Sequence, residues 1–448
     1  MNPKTFTWHP LKSLHPRGET WRIVWCWVGL LGAALILFGF NLDSSPLLES
    51  ERVMAQLAQE MSENRFLSGD WLFPTLDETP YHQHPVLGLL SLTIAGYGGE
   101  FTPGSLRLVG ALFAAVSVPL LYAVAREIFV LWRPAFFTAL IYLTLFPVVR
   151  WGRLATLDGI VLFWSILTVL CVLRSRRDFR WSLGVGLSLS GLFLTQGLIA
   201  VLLTVLLITF VAWDTPRLLS SIYFWVGIFL GILPALTWYW MQWLMYGNTF
   251  LNSLFFHSLQ TGWGNFFSSL SYYPVAVIKY SWPWLIFGIY GAKLAWKSVN
   301  WGWGKLILVW GGVYGGIICL LPLDSMSYLL PFYPCLALAG GIMLSEVNNL
   351  PGDLPYPQSW SWTLLSLSGL ISLISLCIML NFPWYFPLPS HRFLLVLTLI
   401  ALAFTWSVTA ALIRRRNSQF IAVLFWGMYV SLTLVISSPY WVGNNIYF

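Results

Sequence analysis

Charge is scarce in this chain: Asp, Glu, Lys and Arg make up only 9% of its 448 residues. With 58% hydrophobic residues, 17% aromatics and a mean hydropathy of +0.72, that scarcity excludes a soluble globular domain. The composition is that of an all-α polytopic membrane protein. Cysteine is also rare. Cys26, Cys171, Cys319, Cys335 and Cys377 lie inside apolar runs at unrelated spacings and read as small buried hydrophobes, not as a disulfide or metal framework. No internal repeat, heptad pattern or low-complexity linker divides the sequence, so residues 1–448 are expected to form one integral domain. The net charge of +7 does not point to nucleic acid, because Lys and Arg gather in short loops as an orientation signal requires. Lys4, Lys12, Arg17 and Arg22 precede the apolar run Ile23 to Phe40, which reads as an uncleaved first span.

Apolar segments of spanning length recur near 22–40, 105–125, 134–149, 156–173, 181–195, 197–213, 218–244, 273–292, 305–321, 328–345, 361–381, 393–413 and 420–437. One further segment, 84–97, is short and interrupted by Gly88 and Gly96. Basic clusters decide its status: Arg126/Arg133, Arg174 to Arg180, Arg217, Lys293 to Lys305, and Arg414 to Arg416. If 84–97 does not cross, every cluster falls on the side of the basic N-terminus, as the positive-inside rule demands. The expectation is therefore thirteen spans, with 84–97 re-entrant or lying in the interface. Residues 41–104, the Arg150–Asp158 segment and 245–272 then share the outer face, and 438–448 also end there. The acidic inner loop 346–353 carries no positive charge to support its placement.

The few acids are concentrated. Asp43, Glu49, Glu51, Glu60, Glu63, Asp70, Asp77 and Glu78 are eight of the 17, in a stretch without lysine directly after the first span. Such a cluster suits a cation-rich ligand, a metal or a proton transfer better than an anionic lipid surface. Ser44 and Ser45 before Pro46 predict the start of a helix over 46–63, with acids at its positive end. Glu49 and Glu51 project from different faces, so one can act on a substrate while the other pairs with Arg52 or a cation. The bland reading is an amphipathic surface helix with solvated acids. Asp77-Glu78 with His82 and His84 can hold a divalent ion, although the spacing matches no named metal motif. His84, ahead of Pro85, can also donate a hydrogen bond to a phosphate.

Other outer segments add candidates. Arg150 and Arg153 read either as interfacial anchors or as ligand contacts. Asp158 begins a long apolar run and must face protein, an arginine or a cation. Residues 245–272 are aromatic and short of charge, which suits a lid over lipid or carbohydrate, with His257 to hydrogen-bond or ligate. Lys279 is a snorkelling lysine or a phosphate partner.

Several strings carry a resemblance: an acidic outer loop ending in GDW, Arg107 in SLRLVGAL, then GRLATLD, LFLTQGLIAVLL and SYLLPFYPCLAL. In this order they resemble the membrane portion of the dolichyl-phosphate-mannose:protein mannosyltransferase superfamily, nearest to bacterial aminoarabinose (lipid A) transferases. The likeness covers roughly residues 20–345, which implies a catalytic region over 21–345 followed by further spans over 346–448. It implies a GT-C fold and an inverting glycosyltransferase that takes a sugar from a polyprenyl-phosphate donor on the outer face of a bacterial-type plasma membrane. The acceptor implied is a glycan, lipid or protein. Glu49 or Glu51 then fills the position of the catalytic acid, Asp158 that of a second acid, and Arg107 that of a family arginine. The sequence also departs from the family. Leu48-Glu49-Ser50-Glu51 stands where an Asp-Glu pair is usual, and family lysines are replaced by His84 and Gln196. Arg107, Arg150, Arg153 and Lys279 remain to hold a phosphate. The competing expectations are a non-catalytic, transferase-derived membrane component and a lipid or sugar transporter, the latter disfavoured by the absence of repeats.

Overall fold

The computed structural model describes residues 17–63, 70–77, 79–96, 101–252, 266–321, 325–349, 356–380, 392–438 and 441. Lipid offers no hydrogen-bond partner to a backbone, so the apolar runs satisfy their own amides as helices. In chain order these are α1 (Arg17–Gly39), α2 (Glu49–Glu63), α3 (Val86–Gly96), α4 (Pro103–Ile128), α5 (Trp132–Leu143), α6 (Phe146–Gly152), α7 (Asp158–Ser175), α8 (Trp181–Phe193), α9 (Gly197–Asp214), α10 (Pro216–Leu219) and α11 (Ile222–Tyr246). Then come α12 (Asn248–Leu251), α13 (Phe266–Tyr280), α14 (Trp284–Lys297), α15 (Gly302–Leu320), α16 (Met326–Asn348), α17 (Gln358–Met379), α18 (Arg392–Arg414) and α19 (Phe420–Ser437). A two-stranded hairpin, Thr75–Leu76 against Thr79–Pro80, is the only sheet among the described residues.

Ten described helices are long and apolar enough to cross a membrane. The other three expected spans take different forms. The 134–149 segment is broken into α5 and α6, bent by 57° at Thr144 and Leu145, where Pro147 starts a new helix. The 181–195 segment forms the 13-residue α8, roughly 20 Å long and shorter than a ~30 Å hydrocarbon core. The 273–292 segment divides between α13 and α14, with Ser281 to Pro283 between them. As the charge pattern requires, α3 is too short to span: its 11 residues reach roughly 16 Å. It packs along α2.

Contacts at the helix ends sort the two faces. Glu127 binds Arg174 and Arg177 at 3.2 and 3.1 Å, and Asp214 binds Arg176 and Lys305 at 3.1 and 3.4 Å. Arg133 donates to Asn349 at 3.1 Å, which ties the 346–349 end to this same basic side. At the opposite ends, Asn41 donates to the Ile436 carbonyl at 3.0 Å and Leu87 N–H to the Leu194 carbonyl at 2.9 Å. The protein is thus a multi-pass integral membrane protein with its outer loop folded over one end of the bundle.

That end is held by a close approach of α4 and α7. A Cβ on Gly159 would lie 2.2 Å from the Gly110 carbonyl oxygen, and one on Gly110 would lie 2.8 Å from that of Leu154. Only glycine permits this contact. Arg107 is one turn before Gly110, so the same approach aims it at the 152–158 turn.

Candidate functional site

The acidic loop is fastened at one point. Helix α2 begins at Glu49, three residues later than Pro46 predicts, because the preceding carbonyls serve another purpose. Leu48 is the N-cap residue and Glu51 stands at the third helical position. The Glu51 Oε2 accepts the Leu48 N–H at 2.8 Å, the reach-back half of a capping box. Its carboxylate also takes both arms of Arg107, Nε to Oε1 at 2.9 Å and Nη2 to Oε2 at 2.7 Å, and Oε1 accepts the Ala155 N–H at 2.8 Å. Arg107 spends its remaining donors on the carbonyls of Leu42 (2.9 Å), Ser45 (2.9 Å) and Pro46 (3.0 Å). Both side chains are fully buried. A guanidinium has five N–H donors and a carboxylate about four acceptor sites, so this pair is saturated. It clasps the loop to α4 and to the turn before α7. Arg52 takes no part; its Nε donates to the Leu47 carbonyl at 3.2 Å.

Arg153 is equally buried but less fully occupied, since its Nε has no hydrogen-bond partner among the described residues. Its Nη1 donates to the carbonyls of Leu37 (2.6 Å) and Phe38 (3.1 Å), and its Nη2 to that of Phe40 (2.6 Å). These are the orphan carbonyls at the end of α1, where a cation is favoured by the helix dipole. Asn41 follows in a left-handed conformation, φ +58°. Asp158 opens α7, is buried, and accepts a 2.8 Å hydrogen bond from the Thr156 hydroxyl; among the described residues it has no salt bridge.

The remaining cations gather on aromatic rings. Arg150 lies 4.8 Å over Trp151, and Lys279, exposed, lies 5.2 Å from the centre of Tyr280. Tyr280 itself packs edge-on to Trp151 at 5.8 Å, so the two cations share one aromatic bracket. Glu49 is exposed on the first turn of α2 and lies outside the clasp.

The rest of the outer loop is pinned to α2 and α11. Gln56 donates to Asp77 at 2.8 Å, the Asp77 N–H to Glu60 at 3.1 Å, and Trp238 and Gln242 both donate to the Leu72 carbonyl, at 3.0 and 2.8 Å. His82 stacks edge-on against Tyr246, centroids 4.6 Å apart. His84 Nδ1 is buried without a hydrogen-bond partner among the described residues, and burial pushes its imidazole down to about 4. It is therefore neutral at pH 7. The described His, Cys, Asp and Glu form no group of three that could hold a metal. Glu78 and His257 lie outside the described residues.

One apolar cluster joins α2, α3, the Ala155–Ile160 turn and the α11–α12 corner through Leu57, Leu89, Leu157, Trp238 and Phe250. The candidate residues on 41–96 and Asp158 thus meet at one end of the bundle. Sequence reasoning missed Trp441, which is buried under both arginines, 5.2 Å from the Arg107 guanidinium and 4.4 Å from that of Arg153. A tryptophan isolated beyond the last span was its only signal.

A family model described as dolichyl-phosphate-mannose-protein mannosyltransferase matches residues 84–240. The chain is 25% identical over 381 residues to an undecaprenyl phosphate-alpha-4-amino-4-deoxy-L-arabinose arabinosyl transferase 1 of Pseudomonas fluorescens, covering 79% of this chain and 65% of that one. A second such transferase of the same species is 29% identical over 225 residues, 48% of this chain and 40% of the relative. The chain thus spans between 40% and 65% of the length of these two relatives. Among solved structures, ArnT from Cupriavidus metallidurans bound to undecaprenyl phosphate superposes with a TM-score of 0.71 at 20% identity, covering 93% of this chain and 78% of ArnT. The archaeal oligosaccharyltransferase AglB from Archaeoglobus fulgidus gives 0.51 at 11% identity, covering 88% and 56%. The structural likeness is one of fold.

Proposed function

We propose that this chain, a member of the GT-C superfamily with the dolichyl-phosphate-mannose-protein mannosyltransferases, moves a sugar from a polyprenyl-phosphate donor to an acceptor on the outer face of its membrane. The observation that carries this reading is the clasp. Glu51 and Arg107 consume each other and fix the first turn of α2 at the mouth of the bundle. Glu49, two residues away, is left exposed on that rigid turn. The likeness to a fold solved with undecaprenyl phosphate supports the donor class.

A glycosyl phosphate is an activated donor, so the chain has two tasks. Glu49 takes the proton from the acceptor hydroxyl as its oxygen attacks the anomeric carbon, opposite the leaving group. The carbon–oxygen bond to phosphate breaks, and its electron pair leaves with the polyprenyl phosphate. Arg107 and Arg153 spend their Nη donors on the loop and on α1, so the phosphate charge falls to Arg150 and Lys279 on their aromatic bracket. His84 adds a neutral hydrogen bond, and Asp158 orders the turn that carries the Ala155 amide. His257 is assigned to the acceptor or sugar side. The donor keeps its tail in the bilayer, which explains a site at the mouth of the spans.

The test is transfer in proteoliposomes with an undecaprenyl-phosphate-linked sugar, read as released undecaprenyl phosphate. Glu49→Gln should lower turnover about 10²–10⁴-fold with normal expression. Arg150→Gln with Lys279→Gln should raise the donor KM. Full turnover in Glu49→Gln would remove the catalytic assignment. Purified protein should also carry a polyprenyl phosphate detectable by mass spectrometry.

A further inference from the structure

Trp441 stands four residues beyond the end of α19, yet its ring is buried at the site. Its neighbours are specific. It faces the guanidinium of Arg153 at 4.4 Å and that of Arg107 at 5.2 Å. It packs on Leu48 and Leu154, with Trp151 and Val435 around it. Leu48 supplies one of the two backbone amides that hold Glu51, and Leu154 immediately precedes Ala155, which supplies the other. The ring thus covers both ends of the clasp and both cations beneath it. Its own Nε1 has no hydrogen-bond partner among the described residues, so it is the face and bulk of the indole, not its N–H, that the site uses.

We propose that Trp441 is a positioning residue for the outer-face site: it keeps water from the two buried guanidiniums and so holds the first turn of α2 in one orientation. Arg153 makes this necessary. Unlike Arg107, it has no carboxylate partner among the described residues and its buried Nε has no hydrogen-bond partner there, so the π face of Trp441 at 4.4 Å is what attracts its charge. If water replaced the ring, the carbonyls of Leu37, Phe38 and Phe40 would compete with solvent for Arg153. The Leu42–Pro46 carbonyls would face the same competition for Arg107. The turn bearing Glu49 would then lose its fixed relation to α4. The functional half of this inference rests on the proposed role of Glu49; the structural half does not.

Two variants separate the ring face from simple bulk: Trp441→Phe keeps an aromatic face, and Trp441→Leu keeps apolar volume without one. Hydrogen exchange of the intact protein in nanodiscs reads the amides of Leu48 and Ala155 without any substrate. Trp441→Leu should speed both by about 10–30-fold, Trp441→Phe by less than about threefold, and amides of α14 in neither variant. In the transfer assay Trp441→Leu should lower kcat about tenfold while the donor KM moves less than about twofold, with rescue by Phe. Equal behaviour of Leu and Phe, or unchanged exchange at Leu48 and Ala155 in both, would overturn the proposal. Faster exchange in a protein whose wild type transfers no sugar would leave the positioning role intact and sink the proposed function instead.

Discussion

Replacing Glu51 by glutamine changes one atom and should still unfold the outer loop. The carboxylate receives four N–H groups, two on each oxygen: Arg107 Nε and Ala155 N on Oε1, Arg107 Nη2 and Leu48 N on Oε2. A glutamine in the same place must turn its NH₂ toward one of these pairs, so whichever way it flips, two donors face donors. The Arg107 charge also loses its counter-ion in a site where both side chains are 0% exposed. Breaking one partner of a buried pair costs about 3–5 kcal/mol, a factor of roughly a thousand in the folding equilibrium. The exposed Glu49 should lose less than about 0.5 kcal/mol on the same change. Unfolding in mixed micelles, followed at several denaturant concentrations, reads both. Arg107→Met should be as costly as Glu51→Gln, whereas Glu51→Gln with Arg107→Met should cost less than the two singles added, because no buried charge is left alone. Equal stability of Glu49→Gln and Glu51→Gln, or strict additivity in the cycle, would refute the clasp.

Three further expectations follow from the geometry. The neutral His84, with its imidazole at about 4 against an ordinary 6.5, binds a proton only when unfolded between those values; stability should be full above pH 6.5 and fall by up to about 3 kcal/mol as pH drops toward 4. His84→Gln should flatten that slope in a pH series of melts. Gly159→Ala would put a methyl 2.2 Å from the Gly110 carbonyl oxygen, forcing α4 from α7 at a cost of about 1–3 kcal/mol or more, seen as a lower melting temperature. Cysteines engineered at 178 and 415 should react with an impermeant thiol reagent only after permeabilisation, and one at 440 before it; outside labelling at 178 would refute the topology and make 84–97 a true span.

The spans were legible because hydropathy and charge act locally. Arg174, Arg176 and Arg177 mark a loop by themselves, and the structure adds only their partners, Glu127 and Asp214. The short, glycine-interrupted 84–97 segment was legible from its length together with the basic clusters, which fall on one side only if it does not cross. The break in the 134–149 run was not: Pro147 is visible, but a 57° bend depends on what the two halves pack against. The start of α2 was misplaced by three residues because Ser45 and Pro46 look like a cap, while their carbonyls belong to an arginine 61 or 62 residues away. The acid pair was read as one engaged and one free. Which was which could not be read, since the partner is Arg107 and not the neighbouring Arg52. Pairings of this separation leave no periodicity in a single sequence.

Helices α1 and α19 run side by side: Asn41 donates to the Ile436 carbonyl at the outer end and Tyr429 to that of Ala33 deeper in the bundle, across 395 and 396 residues. A ribosome makes these partners nearly 400 residues apart. The acidic loop leaves the translocon before Arg107, Ala155 and Trp441 exist, and its carboxylates wait in water while the bundle grows behind them. Glu51 gains its counter-ion after 56 more residues, its second amide after 104, and its cover only when α19 has inserted. Every chain that has not yet inserted α19 is therefore a membrane protein with an unfinished outer face.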